Sequence, residues 1–240
     1  MPRPAIWSLK HALRPSPACR PSIRALGLAE AAATALLVRI EIDTWASQGR
    51  EVHRAAELLR EGGVLAIPTD SGYSLACDLH SPKSIDKLYA LKQSPRSHPL
   101  SILLADVDDV GRYAGHISTL TYRTLKRLLP GPYTFILNAG REIPKRMHKK
   151  RRTIGIRVPD AAIPRALALQ LGRPLVTTSL RQDEEERFVV DPNHIERDLG
   201  HQLAAVVDGG LGLERPTTVV DMTCTPYLIL REGQGDVDVI

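Results

Sequence analysis

Val64-Leu-Ala-Ile-Pro-Thr-Asp-Ser-Gly-Tyr-Ser-Leu-Ala-Cys-Asp78 is the stretch from which the fold is read. An apolar run reaches Pro68, and Thr69, Asp70, Ser71 and Tyr73 then crowd around Gly72. The pattern predicts a buried strand that leaves the core and delivers hydroxyls and a carboxylate at its carboxyl end. In open α/β sheets ligands bind at such ends. The same residues suit a polar β-turn, since Asp, Ser and Gly are turn formers. Pattern alone leaves the two readings level, because loop residues at strand ends serve both purposes.

Outward from this stretch, residues 47–60 place Val52, Ala55, Ala56, Leu58 and Leu59 on one helical face, and Gly62-Gly63 closes the helix. On the other side Ser81-Pro82 opens a helix, with Ser as cap and Pro in the first turn. Ile85, Leu88, Tyr89 and Lys92 share its face, and Lys92 falls in the last turn, where a cation also suits the helix dipole. Further strands are expected over residues 100–105, 133–137, 153–158, 174–180, 203–208, 217–222 and 227–231. Further helices are expected over 117–129, from a cap at Asp160 to Leu171 with Gly172 closing it, and from Asp191-Pro192 to Gly200 or just beyond. Strands alternate with helices and then cluster at the end. That predicts an α/β sheet, mainly parallel, with antiparallel additions. No linker or repeat interrupts residues 38–240, which are read as one domain.

Composition narrows the class. The chain of 240 residues is 43% hydrophobic and 25% charged, ordinary values for a globular protein. No apolar run approaches the roughly 20 residues that span a bilayer. Cys19, Cys77 and Cys224 are far apart and odd in number, which excludes a disulfide framework or a CxxC zinc site and suits a reducing, cytoplasmic setting. The net charge of +5 is uneven: Arg3, Lys10, Arg14, Arg20 and Arg24 against Glu30 put +4 in residues 1–37 and leave +1 for the rest. Those 37 residues, rich in Pro and scattered Arg, are expected to be a disordered or mis-called extension ahead of a start near Val38. Their Arg-rich, acid-poor character also fits a transit peptide.

Common catalytic machines are missing. There is no GxxxxGK[ST] loop, and the glycine cluster Gly209-Gly-Leu-Gly212 lacks its Lys. There is no GxSxG elbow, and no HxxxH or HExxH, so neither a hydrolase triad nor a metal site is predicted. What remains is a set of hydroxyls and cations at strand exits: Thr69, Ser71 and Tyr73; Lys92; Arg157; Thr177, Thr178 and Ser179; Thr217 and Thr218; Arg231. Hydroxyls bind phosphate or carboxylate oxygens and Lys or Arg neutralise them, so a polyanionic ligand is expected. A basic run holds Arg141, Lys145, Arg146, Lys149, Lys150, Arg151 and Arg152, with His148, against Glu142 alone. It reads either as a solvated loop balanced by acidic residues 183–186, or as an RNA phosphate contact or a lid over a nucleotide. Without interleaved aromatics, RNA contact would follow shape more than sequence.

The order of motifs resembles the YrdC/YciO superfamily. The residues carrying the resemblance are Ile67-Pro-Thr-Asp-Ser-Gly-Tyr73, Leu91-Lys-Gln-Ser-Pro95, Pro130-Gly-Pro-Tyr-Thr-Phe135, Gly155-Ile-Arg-Val-Pro159, Thr177-Thr-Ser179 and Thr217-Thr-Val-Val-Asp221. The ending Leu230-Arg-Glu-Gly-Gln-Gly-Asp236 is similar to the YciO branch in particular. The resemblance covers residues 38–240 and implies one YrdC-like α/β domain, a twisted open mixed sheet flanked by helices with a basic concave face. It implies ATP as co-substrate with Mg2+, and tRNA or another structured RNA as partner. In the synthase branch threonine, bicarbonate and ATP give threonylcarbamoyl-adenylate for tRNA N6-threonylcarbamoyladenosine. Carried over by position, Thr69 and Tyr73 would line the threonine pocket, and Lys92 and Ser179 would be catalytic. Arg157, Thr178, Arg181 and Arg231 would face the nucleotide. Lys145, Arg146, Lys149, Lys150, Arg151 and Arg152 would contact RNA.

Two departures qualify the resemblance. In the synthase signature Lys-x-Arg and Ser-x-Asn, this chain has Ser94 at the Arg position and Arg181 at the Asn position. Losing a bidentate cation is not conservative; Arg181 or Arg96 restores the charge by another route in one reading. The alternative is a non-catalytic double-stranded RNA- or ribosome-binding module that kept the fold. Carbamoyl-phosphate chemistry, as in the related domain of hydrogenase maturation proteins, is a third reading, without the accompanying domains here.

Overall fold

The decisive stretch folds as a hairpin. A computed structural model describes residues 38–43, 49–92, 99–147, 152–180 and 189–240. The extension over residues 1–37 lies outside the described residues, as do Ser94, Arg96, Arg181, and Lys149 to Arg151. The first arm is β2 (Leu65–Thr69) and the return arm is β3 (Gly72–Asp78), with Asp70-Ser71 as the turn and Thr69 opposite Gly72. Gly72 has a φ of 97°, which a side-chain-bearing residue rarely adopts and glycine adopts freely. The return arm was not expected from the sequence: its first residues, Gly72 to Ser74, read as part of the polar turn, although all seven residues of the arm are buried.

The remaining strands are β1 (Val38–Glu41), β4 (Ser101–Leu103), β5 (Tyr133–Asn138), β6 (Thr153–Arg157), β7 (Leu175–Ser179), β8 (Ala205–Asp208), β9 (Thr218–Asp221) and β10 (Leu228–Arg231). Together the strands form one open sheet in the order β1-β8-β2-β3-β7-β4-β6-β5-β9-β10. The expectation of a mainly parallel sheet is corrected. The β1–β8, β8–β2, β4–β6 and β5–β9 contacts are parallel, and the others are antiparallel. The tight turn reverses β3 against β2, and β7 then slots between β3 and β4, antiparallel to both.

The helices are α1 (Arg50–Arg60), α2 (Pro82–Leu91), α3 (Val110–Tyr113), α4 (Thr119–Leu128), α5 (Ala162–Leu171) and α6 (Pro192–Leu199). Ser81 caps α2 by accepting from the Ser84 N–H, and Asp191 caps α6 by accepting from the Asn193 N–H. Gly172 ends α5 in the left-handed region, as expected. The expected cap at Asp160 is corrected: Ala161 holds that position with no side-chain bond, and the Asp160 N–H is directed to the hairpin turn instead.

Strand alternation divides the core. On one face Val52, Ala55 and Leu59 of α1 and Ile163 and Leu167 of α5 pack on Leu65, Ile67, Leu175 and Val207. On the other, Ile85 and Leu88 of α2 and Leu125 of α4 pack on Tyr73, Leu75, Phe135, Ile156 and Val176. Each such burial contributes roughly 2 kcal/mol before chain entropy is counted. Helices α1 and α5 cover this face over β1, β8 and β2 and reach Ala76 of β3, Leu175 of β7 and Leu103 of β4; Thr177 and Ser179 lie farther along β7 on the same face. Among the described residues no helix is long and apolar enough to cross a membrane.

Candidate functional site

The turn Asp70-Ser71 is where distant parts of the chain meet. Thr69 Oγ1 donates to the Gly72 carbonyl at 2.7 Å and accepts from the Ser71 N–H at 3.2 Å, which fixes the turn from within. The Asp70 carboxylate takes the Arg157 guanidinium on Oδ1 and the Asp160 N–H on Oδ2, the latter at 3.2 Å. The same guanidinium nitrogen donates to Ser71 Oγ at 3.1 Å. From the C-terminal segment, Gln234 Nε2 donates to the carbonyls of Asp70, at 2.9 Å, and Arg215, at 2.8 Å.

This ion pair reports the shape of the sheet. Strands β3 and β6 are separated by β7 and β4, so a flat sheet would hold them about 14 Å apart. The long Arg157 side chain spans most of that interval, and the Arg–Asp contact draws the Asp70-Ser71 turn in over the face on which Arg157 lies, as the twist of an open sheet allows. That face follows from alternation, since Ile156 belongs to the core under α2 and α4 and its neighbour Arg157 points the other way. The curled face carries Thr69, Ser74, Ser101, Thr134, Thr177, Ser179 and Arg231 as well.

Within the face, Ser179 stands opposite Ser74, two residues from the closing pair of the hairpin. Ser101 stands between Thr177 and Gly155. Gly155 leaves room for Ser101 there: a Cβ would lie 2.6 Å from Ser101 Oγ and 3.3 Å from Thr134 Cγ2, so the serine hydroxyl would have to turn away. Thr134 shares a hydrogen bond with Thr217 at 2.9 Å, and Arg231 donates to the Thr217 carbonyl at 3.0 and 3.1 Å.

Alternation separates residues that the sequence grouped. Thr178 points to the opposite face from Thr177 and Ser179, and there it accepts from Lys92 Nζ at 2.6 Å. Lys92, at the C-terminus of α2, therefore reaches the end of β7 from the other side of the sheet. Tyr73 is fully buried in the core under α2, and its hydroxyl donates to the Gly210 carbonyl at 2.8 Å. Burial pushes that phenol up to about 12.

The electrostatics centre on Asp70 and Arg157. Burial raises the Asp70 carboxyl above the ordinary carboxylate value, against the pull of Arg157 and the Asp160 N–H. Arg157 is 5% exposed and stays cationic, as guanidinium does. Its Nε is buried with no hydrogen-bond partner among the described residues, an omission that ordinarily costs 1–3 kcal/mol. A buried donor of this kind calls for an acceptor. Among the described residues no group of three or more His, Cys, Asp or Glu could hold a metal ion.

The described part of the basic run lies apart from this site. Arg146 donates to both carboxylate oxygens of Asp86 at 3.0 Å and to the Pro82 carbonyl at 3.2 Å, in the first turns of α2. Lys92 is at the other end of that helix, about 10–15 Å along its axis. Arg152 precedes β6, about 16 Å of extended chain from Arg157. Lys145 and Arg152 are exposed. The described part of the run, which includes the 3-10 turn Lys145–Met147, thus packs at the start of α2, at a distance from Lys92.

Asp70, Asp160 and Gln234 are site residues to which the sequence assigned no such role. Asp70 carried a signal, a carboxylate in the turn between two apolar runs. Gln234 carried none.

Known proteins place this arrangement. A family model, Sua5_yciO_yrdC, described as Telomere recombination, matches residues 57–233. The chain is 40% identical over 190 residues to an uncharacterized protein of Haemophilus influenzae, covering 78% of this chain and 91% of that one. It is 37% identical over 191 residues to the uncharacterized protein YciO of Escherichia coli, covering 79% and 92%. The crystal structure of E. coli YciO superposes with a TM-score of 0.77 at 34% identity, covering 85% of this chain and 98% of that one. A threonylcarbamoyl-AMP synthase of Halorhodospira halophila is 34% identical over 179 residues, covering 73% and 92%. With its mixed sheet, curled hydroxyl face and unbroken order of motifs, the chain belongs to the Sua5/YciO/YrdC family.

Proposed function

We propose that the protein binds ATP on the curled face and acts in threonylcarbamoyl-adenylate chemistry for tRNA modification. The observation that carries this reading is the buried Arg157, whose Nε has no partner among the described residues, on the same face as Ser101, Thr134, Thr177, Ser179 and Arg231. Such a set of donors suits phosphate oxygens without a glycine-rich phosphate loop. In this chemistry the threonine nitrogen bonds to the bicarbonate carbon with loss of water. A carbamate oxygen then attacks the α-phosphorus, and pyrophosphate leaves. Fixed donors stabilise the charge that builds on the phosphorus centre.

In this reading Lys92 and Ser179 attend the phosphates from the two sides of β7, and Thr178 holds Lys92. Thr69 borders the threonine position at the turn. Tyr73 serves that position from behind, by anchoring Gly210 rather than by offering its hydroxyl. Arg157 and Arg231, with Arg181, serve the nucleotide. Magnesium would arrive on the phosphates, held mainly by them and by water. A cytoplasmic setting, where tRNA and ATP meet, goes with this assignment.

The experiment is incubation with threonine, bicarbonate and ATP. Pyrophosphate release that needs both threonine and bicarbonate and is lost in Lys92→Ala supports the reading; no such release rejects the catalytic part. A second reading, a non-catalytic RNA-binding module, draws on Ser94 and Arg181 at the signature positions and on the exposed Lys145 and Arg152. Salt-sensitive RNA binding without that pyrophosphate release would favour it.

A further inference from the structure

The cation best suited to an anionic ligand is sealed. Arg157 is 5% exposed, and the Asp70-Ser71 turn lies on it. Three contacts from separate parts of the chain hold Asp70 in place: the Arg157 guanidinium, the Asp160 N–H, and Gln234 Nε2 on its backbone carbonyl. Ser71 Oγ accepts from the same Arg157 nitrogen and ties the neighbouring turn residue to it. An anion reaching Arg157 has to displace a carboxylate already seated on it.

We infer that Asp70 is an intramolecular gate: its carboxylate occupies the Arg157 guanidinium until a phosphate-bearing ligand takes its place. The inference rests on the nucleotide reading and adds a regulation of that site. Its chemistry is an exchange of one anion for another on a single cation. The ligand gains the Arg157 donors, including Nε, which has no partner among the described residues. Asp70 is a poor permanent occupant because its burial opposes its charge. The Asp70 side chain can rotate off Arg157 while β2 and β3 stay joined through the pairs from Leu65–Ala76 to Thr69–Gly72. Where only a fraction of the molecules is open, the apparent affinity falls by that fraction. Removing the gate's charge therefore tightens anion binding.

The test compares the full-length protein with Asp70→Asn, which keeps an acceptor for the Asp160 N–H but carries no charge. The probes are inorganic pyrophosphate and ATP, measured by titration calorimetry, with urea midpoints checking that each variant is folded. The expected result is an affinity for both probes about tenfold higher in Asp70→Asn, abolished in the double variant Asp70→Asn/Arg157→Met. Gln234→Ala, which loosens the turn without touching the ion pair, is expected to tighten binding in the same direction. If the wild type binds and Asp70→Asn binds equally or more weakly, the gate is overturned and the nucleotide reading stands. A gain that survives loss of Arg157 also overturns the gate. If neither wild type nor Asp70→Asn binds either probe, the nucleotide reading falls and the gate falls with it.

Discussion

Arg173 and Asp78 face each other in a two-point ion pair, Nε to Oδ1 at 2.7 Å and a terminal nitrogen to Oδ2 at 2.6 Å. It lies at the far end of β3 from the Asp70–Arg157 pair, so both ends of the decisive strand are fixed by an Arg–Asp contact. Asp78 is buried and Arg173 is partly exposed. Burial alone would raise the Asp78 carboxyl, but the Arg173 guanidinium and the His80 N–H together hold it below the ordinary value.

A lowered folded value means that the native state holds the proton less tightly than the unfolded chain. The stabilisation is fully present above the ordinary Asp value, near 3.8, and is lost as pH falls through the lowered one. Arg173→Ala is expected to lower stability at neutral pH by about 3 kcal/mol, the low end for breaking a buried pair because Arg173 is partly exposed. It should also shrink the stability lost between pH 7 and pH 3. Urea midpoints of both proteins at the two pH values check this; equal midpoints at neutral pH would reject it.

Lys92 and Thr178 separate a ligand contact from a structural one. Lys92→Met removes the charge that the nucleotide reading needs, and ATP affinity is expected to fall about tenfold or more, as for loss of a charged hydrogen bond. Thr178→Val keeps the shape beside Val176 and removes only the hydroxyl that accepts from Lys92. It should cost about 1 kcal/mol of stability and weaken ATP less than Lys92→Met does. Calorimetric titration with ATP, alongside urea midpoints, distinguishes the two. Equal ATP losses in both variants would mean that Lys92 acts only through Thr178.

The same residues show what a sequence can reveal here. The turn at Asp70-Ser71 and the caps at Ser81 and Asp191 are local, and local chemistry marked them. Strand β3 escaped because Gly72 and Ser74 belong to the polar cluster that reads as a turn, although Tyr73, Leu75 and Cys77 alternate with Ser74, Ala76 and Asp78. The sheet was expected to be mainly parallel because strand–helix alternation looks the same whether or not a hairpin intervenes. Thr177, Thr178 and Ser179 were legible as hydroxyls at a strand end, yet their division between two faces emerges only once the strand has a core side. The Asp70–Arg157 and Asp70–Gln234 contacts join residues 87 and 164 positions apart, and no local spacing encodes either.

Gly155 makes the hydroxyl row possible, and its replacement tests the row directly. In Gly155→Ala the new methyl would approach Ser101 Oγ to 2.6 Å, an overpacking expected to cost about 1–3 kcal/mol. Adding Ser101→Ala removes the clashing oxygen and should recover at least half of that loss. A double-mutant cycle on urea midpoints reads the coupling. Purely additive losses would show that the two residues do not meet as the register places them.

The described part of the basic run holds residues that are engaged and residues exposed to meet RNA. Arg146 is committed to Asp86 and the Pro82 carbonyl, whereas Lys145 and Arg152 are exposed. If RNA phosphates are bound here, each lost contact should lower the slope of log affinity against log salt by about 0.7–0.9. Lys145→Ala/Arg152→Ala is therefore expected to reduce that slope by about 1.5. Arg146→Ala should leave the slope unchanged and cost under about 1 kcal/mol, as a partly exposed ion pair does. Filter binding of tRNA across a salt series measures all three proteins. A slope that falls for Arg146→Ala but not for the double variant would move the RNA contact from the exposed loop to the start of α2.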